Sequence, residues 1–582
     1  MRLRDYQHAS ESAVLREWQD GTTSTLLVLP TGCGKTIVLA SIIRSLYPQK
    51  TLVIAHREEL IWQAKEKIQH VTGLRVEVEM GEHKASMDRE LFRPEADVLV
   101  ATVQTLCSGG DGGGRLGKLN PDYFGAVIVD EAHHSVTDMY KRILDYMRQN
   151  KRLKILGVTA TPDRQDEEAL GQIYETVAHD YEIIDAIRDG WLVPIQQQMV
   201  SIESLDFSKI RTKSGDLNGT DLAEVMESEK NLHGIAGATI DICGDQRGIG
   251  FASSVNHAQI LAEIFNRHRP GMASCVSAKT DKEKRKQIIR QFANGDIQFL
   301  WNCGVFTEGF DDSGVAVISM ARPTKSRALY AQMAGRATRP HESIAHHLNE
   351  APEAVLRRAM IARSCKPSCL LLDFVGNSGT HKLITSADIL GGNVSEEAVK
   401  EAVQMMLRTG RPQKVAELLE EKEKEIEERK KQAEARKAKI IVPVKFKSES
   451  VDPFDMLQLR PAVQRGWDQG KVLGEGSKRL LRNAMGIDPD KLDYAKGMQL
   501  VKEFYRRKEN KLATMGQVKW LKKFNLDINM SFDQARACMD ALKQNHWRGL
   551  PTGFDPAHAT QLESPPPRPQ RNTQPEIDDV PF

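Results

Sequence analysis

The sequence predicts an α/β fold with two tandem halves built on parallel strands, followed by a helical C-terminal third. Between residues 26 and 193, short apolar runs alternate with longer amphipathic segments, as expected of buried parallel strands joined by crossover helices. A glycine-rich turn follows the first apolar run, and a second alternation begins near residue 235. The length of 582 residues accommodates roughly three or four domains.

Four further continuous apolar runs mark the strands of the first half, at residues 51–55, 97–101, 126–130 and 154–158. Runs without polar interruption favour strands that are covered on both faces. In doubly wound sheets the functional residues gather at the carboxyl ends of the strands. Because polar candidates follow each of these runs, we expect the functional residues of this half to share one edge of the sheet.

The composition excludes several classes of protein. The chain has 81 Lys and Arg against 79 Asp and Glu, so a polyanion would have to be bound by a local basic surface. The 8 cysteines form no C-x-x-C pair, which indicates reduced thiols and argues against a disulfide scaffold. No run approaches the roughly 18 apolar residues of a membrane span, so we expect a cytoplasmic protein without a membrane partner.

The glycine-rich turn is Pro-Thr-Gly-Cys-Gly-Lys-Thr at residues 30–36. Gly32 and Gly34 would let the backbone approach a phosphate, and the helix that follows would direct its N-terminus at the anion. Lys35 would reach the β- and γ-phosphates, and Thr36 would ligate Mg²⁺. The pattern departs from the longer phosphate-loop consensus, whose first glycine is replaced by Leu29.

Two adjacent acids follow the apolar run at 126–130. Asp130 would supply a carboxylate to the metal shell, and Glu131 would position or deprotonate a water molecule. Together with the glycine-rich turn, these acids predict a site that hydrolyses a nucleotide.

With these motifs the chain resembles superfamily 2 nucleic-acid helicases of the DEAH-box type, over residues 2 to about 375. The resemblance includes an N-terminal motif whose Gln contacts adenine and the superfamily's own form of phosphate loop. Its ordered motifs lie at residues 3–7, 30–36, 55–60, 101–106, 130–133, 159–162, 248–254, 302–311 and 330–340. The resemblance implies two RecA-like domains that bind ATP and Mg²⁺ between them.

The resemblance also assigns residues to that nucleotide. It implies cofactor binding by Arg4, Gln7, Thr31, Gly32, Cys33, Gly34, Lys35, Thr36 and Asp311, and metal binding by Thr36 and Asp130. Glu131 would activate the attacking water, and Gln332 would help to order it.

The pattern Q-x-x-G-R-x-x-R places Arg336 and Arg339 in the second half. Guanidinium groups are planar and permanently charged, which suits them to the charge that spreads in phosphoryl transfer. One such arginine is worth roughly 10³ to 10⁵ in rate. We therefore expect both arginines to stabilise the transition state when the two halves close.

The remaining motif residues are implied in coupling and in contact with nucleic acid. The residues implied in coupling the ATP site to nucleic acid are His133, Thr159, Thr161 and Gly309. The residues implied in contact with the nucleic-acid backbone are Arg57, Thr102 and Thr307. The order of the motifs is nearest to RadD-like repair helicases and to phage and restriction-type translocases. RadD proteins carry cysteine-rich zinc segments after the motor, and this chain has none, so its accessory functions stay open.

The predicted domains follow from these motifs and from shifts in composition. A charge-dense helix interrupted near residues 410–412 separates the motor from a small helical domain, in which two weakly similar units are offset by 39 residues. Thirteen Lys or Arg and five Asp or Glu lie between residues 477 and 523, among aromatic residues, which predicts a nucleic-acid-binding surface. The boundaries are 1–195 for the ATP-binding domain, 196–234 for a connector, 235–392 for the second RecA-like domain, 393–453 for a solvated spacer, 454–555 for the helical domain and 556–582 for a disordered tail.

The last residues, 576–582, resemble the acidic tip of bacterial single-stranded-DNA-binding proteins. In such a tip, Phe582 would fill a pocket of a partner protein while the neighbouring acids meet a basic rim.

These observations favour an ATP-dependent DNA helicase or translocase that acts in repair, recombination or replication. Three alternatives stay open: an RNA helicase, an ATP-gated clamp or scaffold that recruits partners, and the motor subunit of a restriction or anti-phage system. The preferred DNA structure, the direction of movement and the oligomeric state are not specified by the sequence.

Overall fold

The computed structural model describes most of the motor and of the helical domain. The described residues are 3–88, 93–108, 115–160, 164–213, 216–305, 310, 312–377, 383–390, 394–438, 453–459, 461–462, 464–468, 470–545, 547, 549–551 and 554–555. Across those ranges, no helix has the length and apolar character that crossing a bilayer requires. The acidic tip with Phe582 lies outside them.

The first lobe is a sheet of seven parallel strands with helices on both faces. Its strands are β1 (Ser24–Val28), β2 (Lys50–Ala55), β3 (Val76–Glu79), β6 (Val98–Thr102), β7 (Phe124–Asp130), β8 (Lys154–Thr159) and β9 (Thr176–Asp180), and a hairpin of β4 (Met87–Asp88) and β5 (Arg93–Pro94) lies outside the sheet. The helices are α1 (Asp5–Gln19), α2 (Lys35–Leu46), α3 (Glu58–Thr72), α4 (Val103–Cys107), α5 (Asp138–Met147), α6 (Arg164–Ile173) and α7 (Ile183–Arg188). The strand order is β3-β6-β2-β7-β8-β1-β9.

The strands β1, β2, β6, β7 and β8 form where the apolar runs predicted them, whereas β3 and β9, at the two ends of the sheet, have no predicted run. Every residue of β1 is buried, as are all residues of β6. Register pairs Val28 with Thr159 and Ala55 with Thr102, so the carboxyl ends of these parallel strands meet at one edge. The phosphate loop and Asp130 therefore lie along the same edge of the sheet.

The second lobe is another seven-stranded sheet, in the order β14-β15-β13-β16-β17-β10-β18. Its strands are β10 (Ile195–Asp206), β13 (Gly248–Phe251), β14 (Ala273–Ser277), β15 (Phe299–Cys303), β16 (Val317–Met320), β17 (Cys369–Asn377) and the antiparallel β18 (Gln413–Lys414), beside a hairpin of β11 (Thr212–Lys213) and β12 (Asp216–Leu217). The helices are α8 (Gly219–Met226), α9 (Glu229–Cys243), α10 (Val255–His268), α11 (Lys282–Asn294), α12 (Arg327–Ala334), α13 (Glu342–Glu350), α14 (Ala354–Ala362), α15 (Ser386–Leu390), α16 (Glu396–Thr409) and α17 (Val415–Ala438). Two parallel-sheet lobes confirm the predicted α/β fold class.

Residues 196–234, which the sequence analysis treats as a connector, instead belong to the second lobe. β10 pairs in parallel with β17 over seven consecutive residues, Ile195 to Ser201, and α8 and α9 follow it. Three consecutive glutamines follow the first residue of this strand, so the strand does not begin as an apolar run. Gln197 is nevertheless fully buried, because its amide is hydrogen-bonded inside the lobe.

The charged segment after the second lobe also differs from the expected solvated spacer. α16 ends at Thr409, where Gly410 adopts the left-handed conformation, so the helix break falls where the sequence predicts it. The first half of α17, however, buries Leu418, Leu419 and Ile426. The few apolar residues of α17 are therefore enough to pack it against the rest of the lobe, including α16.

In the described part of the C-terminal helical domain, the α-helices are α18 (Pro453–Leu457), α19 (Glu475–Met485), α20 (Tyr494–Glu509), α21 (Met515–Lys523) and α22 (Phe532–Gln544). The two units suspected from sequence have the same local geometry. Gly486 and Asn525, which are 39 residues apart, follow α19 and α21 in the left-handed conformation with φ of 67° and 55°. An aliphatic residue follows each, Ile487 and Leu526, and donates its main-chain N–H back to the helix at 2.9 Å.

A short segment between α18 and α19 packs on the first lobe. Trp467 is buried against α6, where a Cβ on Gly171 would lie 2.7 Å from the Trp467 carbonyl oxygen. The Arg465 guanidinium donates to Asp180 at 3.0 Å and also to Glu182. These contacts attach residues 465–468 to the first lobe through both an apolar and an ionic anchor.

Candidate active site

The phosphate loop connects β1 to α2 and has the backbone shape that its glycines allow. Gly32 and Gly34 have φ of 92° and 72°, which side-chain-bearing residues rarely adopt. Gly34 caps α2, whose first residue is Lys35, so the helix N-terminus opens directly onto the loop. The free main-chain N–H groups of a helix start are suited to bind a phosphate.

The N-terminal motif braces this loop. The Tyr6 hydroxyl and the Gln7 amide both donate to the main-chain carbonyl of Cys33, at 2.9 Å and 3.1 Å. The Cys33 side chain is fully buried, and burial raises the pKa of its thiol to about 12. Cys33 therefore serves the loop as a buried, uncharged residue, and Gln7 holds the loop in addition to any contact with adenine.

Arg4 lies in a stack of cations and rings at the contact between the lobes. Its guanidinium carbon lies 4.4 Å from the centroid of the Trp191 ring, and that of Arg357 lies 4.2 Å from it. Arg4 Nε also donates to Asn349 of the second lobe at 2.9 Å. The ring of Tyr6 stacks on that of Tyr181 nearby, with centroids 4.6 Å apart. None of these aromatic partners except Tyr6 lies in a motif, so the sequence analysis missed Tyr181 and Trp191.

Lys35 and Glu131 form an ion pair at the centre of the site. Lys35 Nζ lies 2.7 Å from Glu131 Oε1, and the two side chains are 14% and 9% exposed. Burial by itself would raise the pKa of Glu131, but Lys35 and then His133 hold it well below its usual range. Glu131 is therefore ionised at neutral pH, which a general base requires.

Asp130 and Thr36 provide the oxygen ligands of a candidate metal position. Asp130 ends β7, Thr36 lies in the first turn of α2, and both are partly exposed at the carboxyl edge of the sheet. Carboxylate and hydroxyl oxygens are ligands that Mg²⁺ accepts, and it retains waters beside them. The donor set of the site therefore fits a magnesium nucleotide.

His133 links this site to the strand that carries the third motif. Its Nδ1 lies 3.5 Å from Glu131 Oε2 and 3.2 Å from Thr159 Oγ1. Thr159 ends β8 and is fully buried. Of the residues expected to transmit coupling, these two are in contact, while Thr161 and Gly309 lie outside the described residues.

Motif residues of the second lobe lie directly against the phosphate loop. A Cβ on Gly32 would lie 3.2 Å from Arg339 Cγ, and a Cβ on Gly335 would lie 2.8 Å from Thr31 Cβ. Arg339 is desolvated there, which lowers the pKa of its guanidinium. The two lobes therefore approach each other at glycines, where no side chain separates them.

Arg336 and Gln332 complete this side of the cleft. Arg336 is 8% exposed, and its Nη1 donates to the carbonyl of Phe310 at 2.6 Å. Gln332 is 6% exposed and lies on α12, about one helical turn before Arg336. Asp311, which was expected to contact the nucleotide, lies outside the described residues.

The residues expected to contact nucleic acid lie at the carboxyl ends of two neighbouring strands. Arg57 follows β2 and precedes α3, and its Nε donates to His56 Nε2 at 3.2 Å. Thr102 ends β6, where its buried hydroxyl caps α4 by accepting from the Thr105 N–H at 3.4 Å. The structure thus gives the Thr102 side chain a capping role, and Thr307 lies outside the described residues.

A buried polar network supports α12, the helix that precedes the motif arginines. Asp373 of β17 accepts a hydrogen bond from the Tyr330 hydroxyl of α12 at 2.7 Å and another from the Gln197 amide. The Ser386 hydroxyl in turn donates to Gln197. Burial raises the pKa of Asp373 to about 7, although both donors oppose this shift.

The raised pKa of Asp373 predicts a pH-dependent stability. Because the folded pKa exceeds the unfolded value of 3.8, this group stabilises the fold most below that value, and the contribution is lost as the pH rises through about 7. At about 1.4 kcal/mol per pKa unit, the loss amounts to at most roughly 4 kcal/mol. Asp373→Asn should flatten the change in thermal midpoint between pH 5 and pH 8, whereas Asp241→Asn on the exposed face of α9 should not. Parallel pH curves for wild type and Asp373→Asn would contradict the prediction.

Comparison with known proteins adds two family models and several relatives. Residues 1–164 match the family described as "Type III restriction enzyme, res subunit", and residues 238–341 match the "Helicase conserved C-terminal domain". IRC3 of Saccharomyces cerevisiae, which is named an ATP-dependent helicase, is 29% identical over 406 residues, 67% of this chain and 53% of that protein.

Two further relatives are more distant. The type I restriction enzyme EcoAI endonuclease subunit of Escherichia coli is 23% identical over 370 residues, 58% of this chain and 44% of the subunit. DNA 3'-5' translocase XPB2 of Sulfurisphaera tokodaii is 25% identical over 378 residues, 58% of this chain and 78% of the translocase. The chain thus spans about half the length of IRC3 and of the restriction subunit.

Proposed function

Because the chain is a superfamily 2 helicase, close to the restriction-type helicases, we propose that it couples ATP hydrolysis to movement along DNA or to remodelling of DNA. The observation that carries the proposal is the packing of Arg339 on Gly32, because it places groups from both lobes at one phosphate site. A nucleotide held between the lobes then favours their closed arrangement, and its hydrolysis releases them. DNA repair, recombination and replication are the processes that such a motor serves.

The chemistry of hydrolysis falls to residues of both lobes. Lys35 and the main-chain N–H groups of the loop would bind phosphate oxygens, and Thr36 and Asp130 would hold Mg²⁺, which would neutralise negative charge on the phosphates. Lys35 leaves its ion pair with Glu131 when it turns to phosphate, so the Glu131 carboxylate becomes available to a water molecule. Arg336 and Arg339 approach from the second lobe.

The His133 contacts offer a path from this site to the nucleic acid. His133 lies against both Glu131 and Thr159, so a change at the γ-phosphate position is transmitted to the end of β8. Arg57 lies between β2 and α3, and Thr102 ends the neighbouring β6 at the same edge of the sheet, which suits this edge to report closure to a bound strand.

DNA is the proposed polymer because the order of motifs is nearest to DNA repair helicases and because one relative is named a DNA translocase. The test is ATPase activity with single-stranded, duplex, forked and branched DNA and with RNA, while strand separation is scored in parallel. We expect stimulation by DNA above that by RNA. Stimulation by RNA alone would identify an RNA helicase, and DNA stimulation without unwinding or protein displacement would favour a clamp.

The helical domain provides a second proposed contact with nucleic acid. α21 contains no acidic residue, and Gly516, Lys519, Trp520 and Lys523 share one face at helical spacing. The Trp547 ring lies 4.2 Å from that of Trp520, and Lys523 Nζ lies 5.2 Å from the Trp520 centroid. Lysines beside partly exposed aromatic rings are suited to a single strand, because phosphates meet the cations while bases stack.

Two variants of α21 should weaken binding of single-stranded DNA in different ways. Removing Lys519 and Lys523 should reduce the slope of log affinity against log salt by about 1.4, since each phosphate contact contributes roughly 0.7. Trp520→Ala should cost about 1–3 kcal/mol and leave that slope unchanged. Fluorescence anisotropy across a salt series measures both effects. The control is Lys543→Gln on α22, a lysine that faces Asp540. Unchanged affinity in both variants would remove this surface from DNA binding.

The acidic tip is proposed to dock on proteins that recognise the tails of single-stranded-DNA-binding proteins. It supplies Phe582 shortly after the acidic residues Asp578 and Asp579, the chemistry that an apolar pocket with a basic rim would bind. Deletion of residues 580–582 should abolish binding to such partners, and unchanged affinity would end the proposal.

A further inference from the structure

Lys366 is a buried lysine between α14 and β17 whose ammonium group contacts the last motif and a residue just beyond the motif at 302–311. The residue is 3% exposed. Its Nζ donates to the main-chain carbonyl of Ser313 at 2.8 Å and to that of Arg339 at 2.7 Å. Neither the motifs nor the periodicity of the sequence singles out this lysine, since it lies about 26 residues beyond the last motif.

Burying an ammonium group costs free energy unless hydrogen bonds replace its hydration. Burial lowers the pKa of Lys366 to about 8, although Cys369 and Asp312 oppose the shift. The group therefore remains largely charged at neutral pH. An apolar side chain would fill the same space without the free-energy cost of desolvating an ammonium group. We therefore attribute the presence of a lysine to its two hydrogen bonds with main-chain carbonyls.

One of these carbonyls is that of Arg339 itself, and the other lies close in sequence to a residue that contacts Arg336. Ser313 lies three residues after Phe310, whose carbonyl accepts the hydrogen bond from Arg336 Nη1. Arg339 extends its side chain onto Gly32 of the phosphate loop. Phe310 is thus joined to the last motif directly by the Arg336 guanidinium, and Ser313 is joined to it through the Lys366 ammonium.

We propose that Lys366 is a positioning residue for ATP hydrolysis, which fixes the main chain of Arg339 relative to that of Ser313 so that the Arg339 guanidinium reaches the phosphate loop. The proposal rests on the proposed role of Arg339. Lys366 touches neither nucleotide nor nucleic acid, and its effect passes through the position of the arginine. A displacement of about 1 Å at such a group is enough to reduce a rate about 10²-fold.

The experiment uses the full-length chain with Lys366→Met and Lys366→Arg, and measures DNA-stimulated ATPase activity, nucleotide binding and thermal unfolding. The Met variant should lose about 10²-fold in kcat while KM and nucleotide Kd change little. The Arg variant should recover most of kcat, since a guanidinium can donate to both carbonyls. The control is Lys286→Met on α11, an exposed lysine of the same lobe.

The double variant separates this proposal from the one on which it rests. If Lys366 acts through Arg339, Lys366→Met should add no further loss to Arg339→Ala. Full activity of Arg339→Ala would instead overturn the role of Arg339 itself. If Arg339→Ala is inactive but folded Lys366→Met retains wild-type kcat, or if the Met variant raises KM as much as it lowers kcat, the positioning role is wrong.

A third variant covers the case in which Lys366→Met does not fold. Lys366→Gln retains a neutral N–H donor at the same position and should give a kcat between those of the wild type and Arg339→Ala. Wild-type kcat in the Gln variant would show that the charge on Lys366 contributes nothing to turnover and would overturn the proposal.

Discussion

Glu131→Gln should reduce ATP hydrolysis by roughly 10²- to 10⁴-fold while ATP binding persists. The amide has nearly the shape of the carboxylate and its oxygen still accepts from Lys35, which lies 2.7 Å from Glu131 Oε1. It cannot accept a proton from the attacking water. The low pKa of Glu131 means that the wild-type carboxylate is ionised throughout the neutral range, so the loss should not depend on pH there.

Single-turnover hydrolysis and equilibrium binding of a fluorescent ATP analogue separate chemistry from binding. The matched control is Glu79→Gln, because Glu79 is also buried in the first lobe and paired with a cation, Arg115, at 2.6 Å. That variant should retain turnover. Wild-type turnover by Glu131→Gln would remove Glu131 from the mechanism, and lost nucleotide affinity would assign it to binding instead.

The same variant should hold DNA most tightly in the presence of ATP. If hydrolysis opens the lobes, a chain that binds ATP without hydrolysing it remains closed on its strand. The rate of DNA release, measured by stopped-flow anisotropy, should therefore fall in Glu131→Gln when ATP is added. An unchanged release rate would mean that lobe closure and DNA affinity are not coupled.

Much of the motor could be predicted because its signals are local. The inner strands of the first lobe contain runs rich in Leu, Ile and Val, and burial on both faces explains that composition. Gly32 and Gly34 were predicted from the backbone shape that a phosphate requires, and both have positive φ. The fold class and the assignment to superfamily 2 helicases are confirmed.

The features that could not be predicted depend on pairs of residues that are distant in sequence. β10 begins with glutamines, and only the contact of Gln197 with Asp373, 176 residues away, explains why they are buried. Lys366 resembles any surface lysine until its distance to the Arg339 carbonyl is known. Nothing in the sequence around Trp191 indicates its role, because the two arginines that contact its ring, Arg4 and Arg357, are far from it in sequence.

Arg339→Lys should lower the rate of ATP hydrolysis by about 10³-fold or more, within the range for the loss of an arginine in phosphoryl transfer. Lysine keeps the charge but not the planar fork, which can donate two parallel hydrogen bonds to phosphate oxygens. The stem of Arg339 packs on Gly32, where a Cβ would lie 3.2 Å from its Cγ. The lysine side chain is shorter and lacks the planar fork of donors. It therefore stabilises the negative charge on the transferred phosphoryl group less well than arginine does.

Arg339 gives the sharper test of the two arginines. Arg336 also donates to the Phe310 carbonyl at 2.6 Å, so its replacement loosens the second lobe as well as the site. Arg290→Lys, on the exposed face of α11, controls for loss of a guanidinium in the same lobe. Pre-steady-state hydrolysis at saturating ATP should show the defect in kcat, with KM nearly unchanged, because the arginine acts on the transition state.

The opposite pattern would give Arg339 a different role. If Arg339→Lys hydrolyses ATP at the wild-type rate but requires more of it, the guanidinium binds the ground state and closes the lobes without contributing to the chemistry. Gly32→Ala should then also lose affinity, since its Cβ would lie only 3.2 Å from Arg339 Cγ and the positive φ of this position disfavours a side chain. A kcat defect shared by Arg339→Lys and Gly32→Ala, with Glu131 intact, would instead locate the chemistry at the contact between the lobes.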